Sequence, residues 1–253
     1  MVALPVCIGS LPFQGHNRKL TPGETTVHNR RLWICVFLFT LTLINYTDRV
    51  ALSVAVTPIS AEFGLSKVEM GWLLSSFLWV YVLCLLPVGL LVDRFGGKVV
   101  NAAGIGIWSA ATVLTGFTTG FVSMAATRIV MGMGESTSWP ACNRVIREWF
   151  PASERGFANA VFGAGAAAGP AIGAVVVSAI VAWLGWRAGF LFAGAIGFIW
   201  LAAWLITFDK PERVGWLSAV ERHRILSERD GLTKPAVPQG ASPLWHLLTL
   251  RSM

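Results

Sequence analysis

The chain has 253 residues, of which 55% are hydrophobic and 13% charged, and its formal charge is +7. Soluble domains carry about 25% charged residues, so the composition excludes an ordinary soluble fold and suits several bilayer spans of about 20 residues each. Nucleic-acid binding is excluded as well, because the lysines and arginines lie between apolar runs and not on one polar face.

A polar arm occupies residues 1–31. Its stretch Gln14-Gly15-His16-Asn17-Arg18-Lys19 puts the first apolar run too late for a cleaved signal peptide. Apolar runs then follow at 32–57, 70–92, 99–117, 121–143, 157–183 and 187–208, each near or above the length of a spanning helix. The fold class expected is an all-α membrane protein whose six transmembrane helices form one bundle over 32–208.

Sixteen of the twenty basic residues fall on the side of the two termini, and only Lys67 and Arg187 fall on the opposite side. The positive-inside rule therefore makes both termini cytoplasmic, with Trp33 and Trp149 near inner and Trp72, Trp183 and Trp186 near outer headgroups. The remaining two basic residues, Arg49 and Arg128, lie inside spans.

In span 1 the stretch "LTLINYTDRVALSVAV" carries Asp48 and Arg49. A helix ending at Thr47 would be slightly too short, and the apolar pattern resumes at Val50, so the helix continues through both charges. Span 4 carries Arg128 and Glu135, seven residues apart and so close to one helix face. A charge at the bilayer centre costs at least about 2.5–3.5 kcal/mol, which is too much for lipid-facing decoration. All four residues are expected to face an internal wet cavity.

Static ion pairs joining helices are the plainer role for these charges. Neighbours at i and i+1 project about 100° apart, however, so Asp48 and Arg49 cannot pair neatly with each other. Two cavity arginines can instead hold an anion, since guanidinium matches carboxylate in bidentate geometry. Burial penalises a carboxylate's charge and a nearby guanidinium supports it. Occupation of the arginines by an anion would then change the proton balance at Asp48 or Glu135. Spans 1 and 4 each carrying an acid and an arginine also fits inverted three-helix repeats around a central site.

In span 5, "GAGAAAGPAIGA" (163–174) lacks the spacing and strand context of a phosphate loop and reads as a closely packed small-residue face. After span 6 the chain turns polar over 209–253. Ser218-Ala219-Val220-Glu221 reads as a capping box opening a charged helix to about Asp230. "GLTKPAVPQGAS" is a linker, and "PLWHLLTLRSM" reads as the approach to a further span. Residues 209–253 are thus expected to be cytoplasmic. Cys7, Cys35, Cys84 and Cys142 show no CxxC spacing and the four histidines are scattered, so no disulfide framework, metal site or cofactor is expected.

The loop between spans 2 and 3, "GLLVDRFGGK", carries Gly89, Leu91, Asp93, Arg94, Gly96 and Lys98 in the register of the G-x-L-x-D-R-x-G-x-K/R motif. On this loop the chain resembles the major facilitator superfamily. "INYTDR", "TRIVMGMGESTSWPACNRVIREWFPASERG" and "GWRAGF" resemble its anion:cation symporter branch, whose members take up sugar acids and some aromatic carboxylates with protons. The resemblance covers about residues 30–250 and implies the N-terminal six-helix half of a transporter in the plasma (bacterial inner) membrane, with 209–253 expected as a central loop truncated before span 7. By position it implies that Arg49 and Arg128 bind the substrate anion and that Asp48 and Glu135 carry the proton. Gly89, Asp93, Arg94, Gly96 and Lys98 would form the gating loop.

Tyr46 and Asn45, a turn away on span 1, can serve as polar partners of a polyol acid or as helix-packing groups. Twelve spans in two halves are the family pattern, so a second six-helix half is an expected partner beside the anion, the proton and the bilayer. The alternative is a truncated or partner-dependent six-span protein without transport of its own. An intramembrane aspartyl protease is disfavoured, because adjacent arginines would hold both carboxylates ionised where a proton-sharing dyad needs one neutral.

Overall fold

The computed structural model describes residues 31–231. The arm before Arg31, the linker and the final apolar stretch lie outside the described residues. Nine α-helices occur among the described residues: α1 Leu32–Val54, α2 Val56–Phe63, α3 Lys67–Phe95, α4 Gly97–Thr115, α5 Phe121–Glu135, α6 Ser138–Trp149, α7 Arg155–Leu184, α8 Trp186–Thr207 and α9 Ala219–Gly231. No strand is present among them. The protein is an all-α, multi-pass membrane protein.

Five helices (α1, α3, α4, α7 and α8) are individually long and apolar enough to cross a bilayer. The run expected to be continuous over 121–143 is divided into α5 and α6. At the junction Ser136 and Thr137 keep right-handed helical dihedrals, so the chain carries on in the same direction. What changes is the hydrogen bonding: the Thr137 amide donates to Gly134 O at 3.3 Å, three residues back, and the next amide to donate to Thr137 O is that of Ala141. The Ser136 and Thr137 hydroxyls donate to Met133 O (2.7 Å) and Gly134 O (2.8 Å). Hydroxyls that bond back to their own helix carbonyls tighten and bend a helix, and here they do so directly after Glu135. The first span ends at Val54, where Ala55 departs from helical dihedrals, and the short helix α2 follows it outside the span.

The turns between long helices are minimal. Gly96 alone separates α3 from α4, and Gly185 alone separates α7 from α8. Both glycines adopt nearly the same conformation, φ 84 with ψ 160 and φ 84 with ψ 165. That region is essentially closed to residues with a Cβ. The second and third helices of each three-helix set are therefore joined by one equivalent turn, a second mark of internal repetition beside the acid–arginine pairs.

The small-residue face expected in the fifth span exists and seats α1. A Cβ on Gly169 would stand 2.8 Å from Leu43 O, and one on Gly173 would stand 2.7 Å from Thr47 Oγ1. Thr47 Oγ1 also donates to Gly169 O at 3.3 Å. Close backbone approach through small residues replaces the hydrophobic drive that lipid cannot supply.

Tryptophans divide into two groups. Trp33, Trp72 and Trp183 are exposed, as interface anchors should be, but Trp149 and Trp186 are buried, and this corrects their assignment to the headgroup belt. Trp149 stacks on Trp216 at 5.2 Å, which clamps the segment after α8 against α6. Trp186 donates from Nε1 to Glu62 Oε2 (2.7 Å), and Arg187 Nη1 reaches the same oxygen (2.8 Å).

These contacts fasten the end of α2 to the start of α8. The Arg187 and Trp186 donors hold the Glu62 carboxyl below its usual range. A lowered folded pKa means that the clasp stabilises the fold above the ordinary carboxylate pKa and loses that contribution as the pH falls through the folded value. In detergent, the melting-temperature difference between wild type and Glu62→Gln is expected to be positive at neutral pH and to vanish in strong acid. A difference that grows on acidification would reverse the assignment.

At the other end, Arg31 joins three elements. Its Nη2 donates to Glu154 Oε1 (2.8 Å), and its amide donates to Glu221 Oε1 (3.2 Å). Ser218 Oγ accepts from the Glu221 amide at 3.2 Å, so the hydroxyl half of the expected capping box is present. The Glu221 carboxylate turns instead to Arg31. The helix after the spans is thereby docked on the bundle, where the sequence alone read it only as a soluble segment.

Candidate functional site

The four intramembrane charges come together between α1, α3, α4 and α5. Arg49 reaches across from α1, and its Nε donates to Glu135 Oε2 on α5 at 2.7 Å. The span-4 pair is thus not Arg128 with Glu135: Arg128 Nη1 donates to Met131 Sδ at 3.1 Å, one turn along its own helix. Arg128, Glu135 and Asp48 are fully buried, whereas the Arg49 side chain is 20% exposed. Of the four, only Arg49 keeps appreciable exposure in this conformation.

Three aromatic rings frame the Arg49 guanidinium: Tyr46 at 4.6 Å, Tyr81 at 4.8 Å and Phe77 at 5.0 Å. Phe77 also lies 5.2 Å from the Arg128 guanidinium, so both cations share one ring as a neighbour. The negative ring faces support the guanidinium where water is scarce. Phe77 and Tyr81, one helical turn apart on α3 and stacked at 5.7 Å, were not singled out from sequence. A signal was available: the chain has 15 phenylalanines but only two tyrosines, and both tyrosines stand over Arg49.

Asp48 projects to a different side from Arg49, as their adjacency on one helix requires. The Trp108 indole on α4 is its neighbouring donor without completing a hydrogen bond, and neither carboxylate oxygen is bonded among the described residues. Asp48 also borders a cavity of about 260 Å³ lined by Thr47, Ile172, Gly173 and Ala193. Asn45 stands beside Glu135, again without a completed bond. Arg49 Nη2, Arg128 Nε and Glu135 Oε1 are likewise buried without a hydrogen-bond partner. Donors and acceptors that a ligand or water could satisfy are thus concentrated at this site.

The loop residues are less of a loop than expected. Gly89, Asp93 and Arg94 belong to α3, Lys98 belongs to α4, and Gly96 alone forms the turn. Asp93 is largely exposed and meets Arg144 of α6 at 3.8 Å. Lys98 pairs with Asp209 at 3.4 Å and Arg94 lies 5.3 Å from the Phe95 ring. A Cβ on Gly89 would meet nothing within 4 Å, so this glycine leaves a surface open and is not squeezed by a neighbour.

Residues 38–252 match the family model described as Major Facilitator Superfamily. The chain belongs to the Major Facilitator Superfamily. Among its relatives in that family is a D-galactonate transporter of Escherichia coli O6:H1, 36% identical over 202 residues, which cover 80% of this chain and 46% of the relative. A probable galactarate/D-glucarate transporter of Escherichia coli K12, GarP, is 35% identical over 237 residues, covering 88% and 52% respectively. The chain spans about half the length of these curated relatives. A bacterial homologue of the human lysosomal transporter Spinster, in an inward-facing and occupied conformation, superposes with a TM-score of 0.66 at 24% identity, over 72% of this chain and 45% of that one. That likeness concerns the fold alone and agrees with one six-helix half of a facilitator-type protein.

Proposed function

We propose that this chain forms the N-terminal half of a transporter that brings an organic anion, a sugar acid, into the cell together with a proton. The observation that carries the reading is the Arg49–Glu135 pair: a partly exposed cation held by a fully buried carboxylate inside the bundle. An incoming carboxylate competes with Glu135 for the same guanidinium. If it wins, Glu135 is left charged and unpaired in an apolar interior, a penalty of several kcal/mol that a proton removes. Anion binding and proton uptake are linked by that competition, without any direct contact between the two. Arg128 stands against the same Phe77 ring as a second cation, and Tyr46 and Asn45 offer polar groups for hydroxyls of the cargo.

Relatives named as D-galactonate and galactarate/D-glucarate transporters support a sugar acid as the cargo. Alternating access needs a second bundle to move against, supplied by the other half of a longer chain or by a partner. The positive-inside pattern supports cytoplasmic termini in a plasma membrane. Nothing in this role calls for an enzyme's covalent chemistry.

The test uses proteoliposomes holding the assembled transporter. Glu135→Gln is expected to abolish accumulation of galactonate driven by a pH gradient, roughly 10-fold or more, while sparing galactonate exchange between equal solutions. Undiminished gradient-driven accumulation in that variant would remove Glu135 from the coupling.

A further inference from the structure

A second charged site lies far from Arg49, at the end of the bundle where α6, α7 and α9 meet. A cavity of about 540 Å³ there is lined by Arg144, Arg147, Glu148, Arg155, Lys210, Glu212 and Arg229. Five cations face two carboxylates, so the lining carries a net positive charge. Both carboxylates are already engaged: Glu148 Oε1 accepts from Arg144 Nε at 2.7 Å, and Glu212 Oε1 pairs with Arg229 Nη1 at 2.7 Å. Arg155 is held by main-chain carbonyls, its Nε donating to Phe150 O (3.1 Å) and its Nη2 to Arg147 O (3.2 Å). Arg147 and Lys210 have no carboxylate within ion-pair distance among the described residues, and both are exposed.

The cavity is a built feature of the fold. Two of its walls, α6 and the segment after α8, are clamped together by the Trp149–Trp216 stack, and Arg222 stiffens the latter by donating to Pro211 O (3.1 Å) and Val214 O (2.6 Å). Three of the cations are therefore fixed in position before any ligand arrives, and two remain available to close on it. Several separated donors around one small space suit a tetrahedral group with many acceptor oxygens better than a planar carboxylate, which one guanidinium satisfies.

Apolar side chains lie close by in the chain. Phe157 is 57% exposed two residues after Arg155, and Ile206 is 83% exposed four residues before Lys210. Charged groups beside apolar surface at the end of membrane helices are what a phospholipid's phosphate and acyl chains would meet together.

We infer that the cavity formed by Arg144, Arg147, Arg155, Lys210 and Arg229 binds a phosphate group, carried by an anionic phospholipid or by a soluble phosphate compound. It is separate from the transport site and does not depend on the transport reading.

The experiment is native mass spectrometry of the full chain in detergent, with phosphatidylglycerol, with phosphatidylcholine, and with inorganic phosphate as competitor. The comparison protein is Arg147→Gln with Lys210→Gln, two exposed side chains whose replacement leaves the Arg155–carbonyl contacts in place. Phosphatidylglycerol is expected to be retained over phosphatidylcholine, and the double variant to hold it roughly tenfold more weakly or worse. Retention unaffected by millimolar phosphate identifies the lipid as the source. Saturable phosphate binding that the double variant loses identifies the soluble source. Equal retention of both lipids with no phosphate binding, or unchanged binding in a variant whose melting curve matches wild type, overturns the site.

Discussion

Arg49→Ala is expected to lower the stability of the bundle by about 3–5 kcal/mol and to abolish anion binding. The stability loss follows from Glu135, whose side chain is fully buried and whose Oε2 has the Arg49 guanidinium as its partner at 2.7 Å. Removing that cation leaves the carboxylate without its hydrogen-bonded partner, with only the more distant Arg128 charge near it. The loss should be largely reversed by adding Glu135→Gln, since a neutral amide does not need the guanidinium. The pair therefore calls for a double-mutant cycle: two single variants that each melt well below wild type, and a double variant that melts above Arg49→Ala.

Anion binding should not recover in the double variant, because the cation itself is gone. That separation distinguishes a binding residue from a merely structural one. Arg49→Lys should keep part of the stability but lose the planar fork and the framing by Tyr46, Phe77 and Tyr81. Thermal unfolding in detergent checks the first part and equilibrium binding of galactonate by the assembled transporter checks the second. If Arg49→Ala and wild type melt together, the pair contributes nothing to the fold and the coupling by competition has no energy to draw on.

Most of the fold was legible because a bilayer leaves a chain few options. Backbone groups in hydrocarbon must bond within their own helix, so apolar runs of sufficient length report helices directly. The runs 70–92 and 157–183 fall inside α3 and α7, and 187–208 nearly coincides with α8. What could not be read was the junction at Ser136–Thr137, since the residues there are compatible with a helix and only the local hydrogen-bond pattern divides α5 from α6. The docking of α9 was also hidden. Its helix signal is local, but its attachment depends on Arg31 and Glu154, 190 and 67 residues away from Glu221 in the chain.

The charges of the site were legible from their cost, and their pairing was not. A charge inside an apolar run announces itself, whereas the choice between Arg128 and Arg49 as partner of Glu135 depends on how α1 and α5 are rotated in the bundle. Helix periodicity favoured the pair on one helix, Arg128 and Glu135. Tertiary packing sent Arg128 toward Met131 and Phe77 and brought Arg49 across from α1. Asp48 similarly turned toward Trp108, a contact with no sequence signal beyond a lone tryptophan in span 3.

Helix α5, which carries Glu135, crosses α4 in close backbone contact at Gly134, and the second large effect is expected there. Gly134→Ala should cost about 1–3 kcal/mol through overpacking, Gly134→Val more, and both should weaken the anion site. A Cβ at Gly134 would stand 2.7 Å from Trp108 N, 2.8 Å from Gly104 O and 3.0 Å from Trp108 Cβ. None of these atoms is the tip of a flexible side chain, so one helix must move. Gly134 directly precedes Glu135, and Trp108 carries the indole beside Asp48. A shift of α5 away from α4 therefore disturbs the surroundings of both carboxylates at once.

Gly163→Ala on α7 is the control, because a Cβ there meets nothing within 4 Å. Melting curves and galactonate binding of the three variants decide the matter. A Gly134→Ala protein that melts and binds like Gly163→Ala would show that the crossing can widen freely, and the placement of Glu135 would then need another cause. A Gly134→Ala protein that loses both properties together would show that helix spacing and anion recognition are set by the same contact.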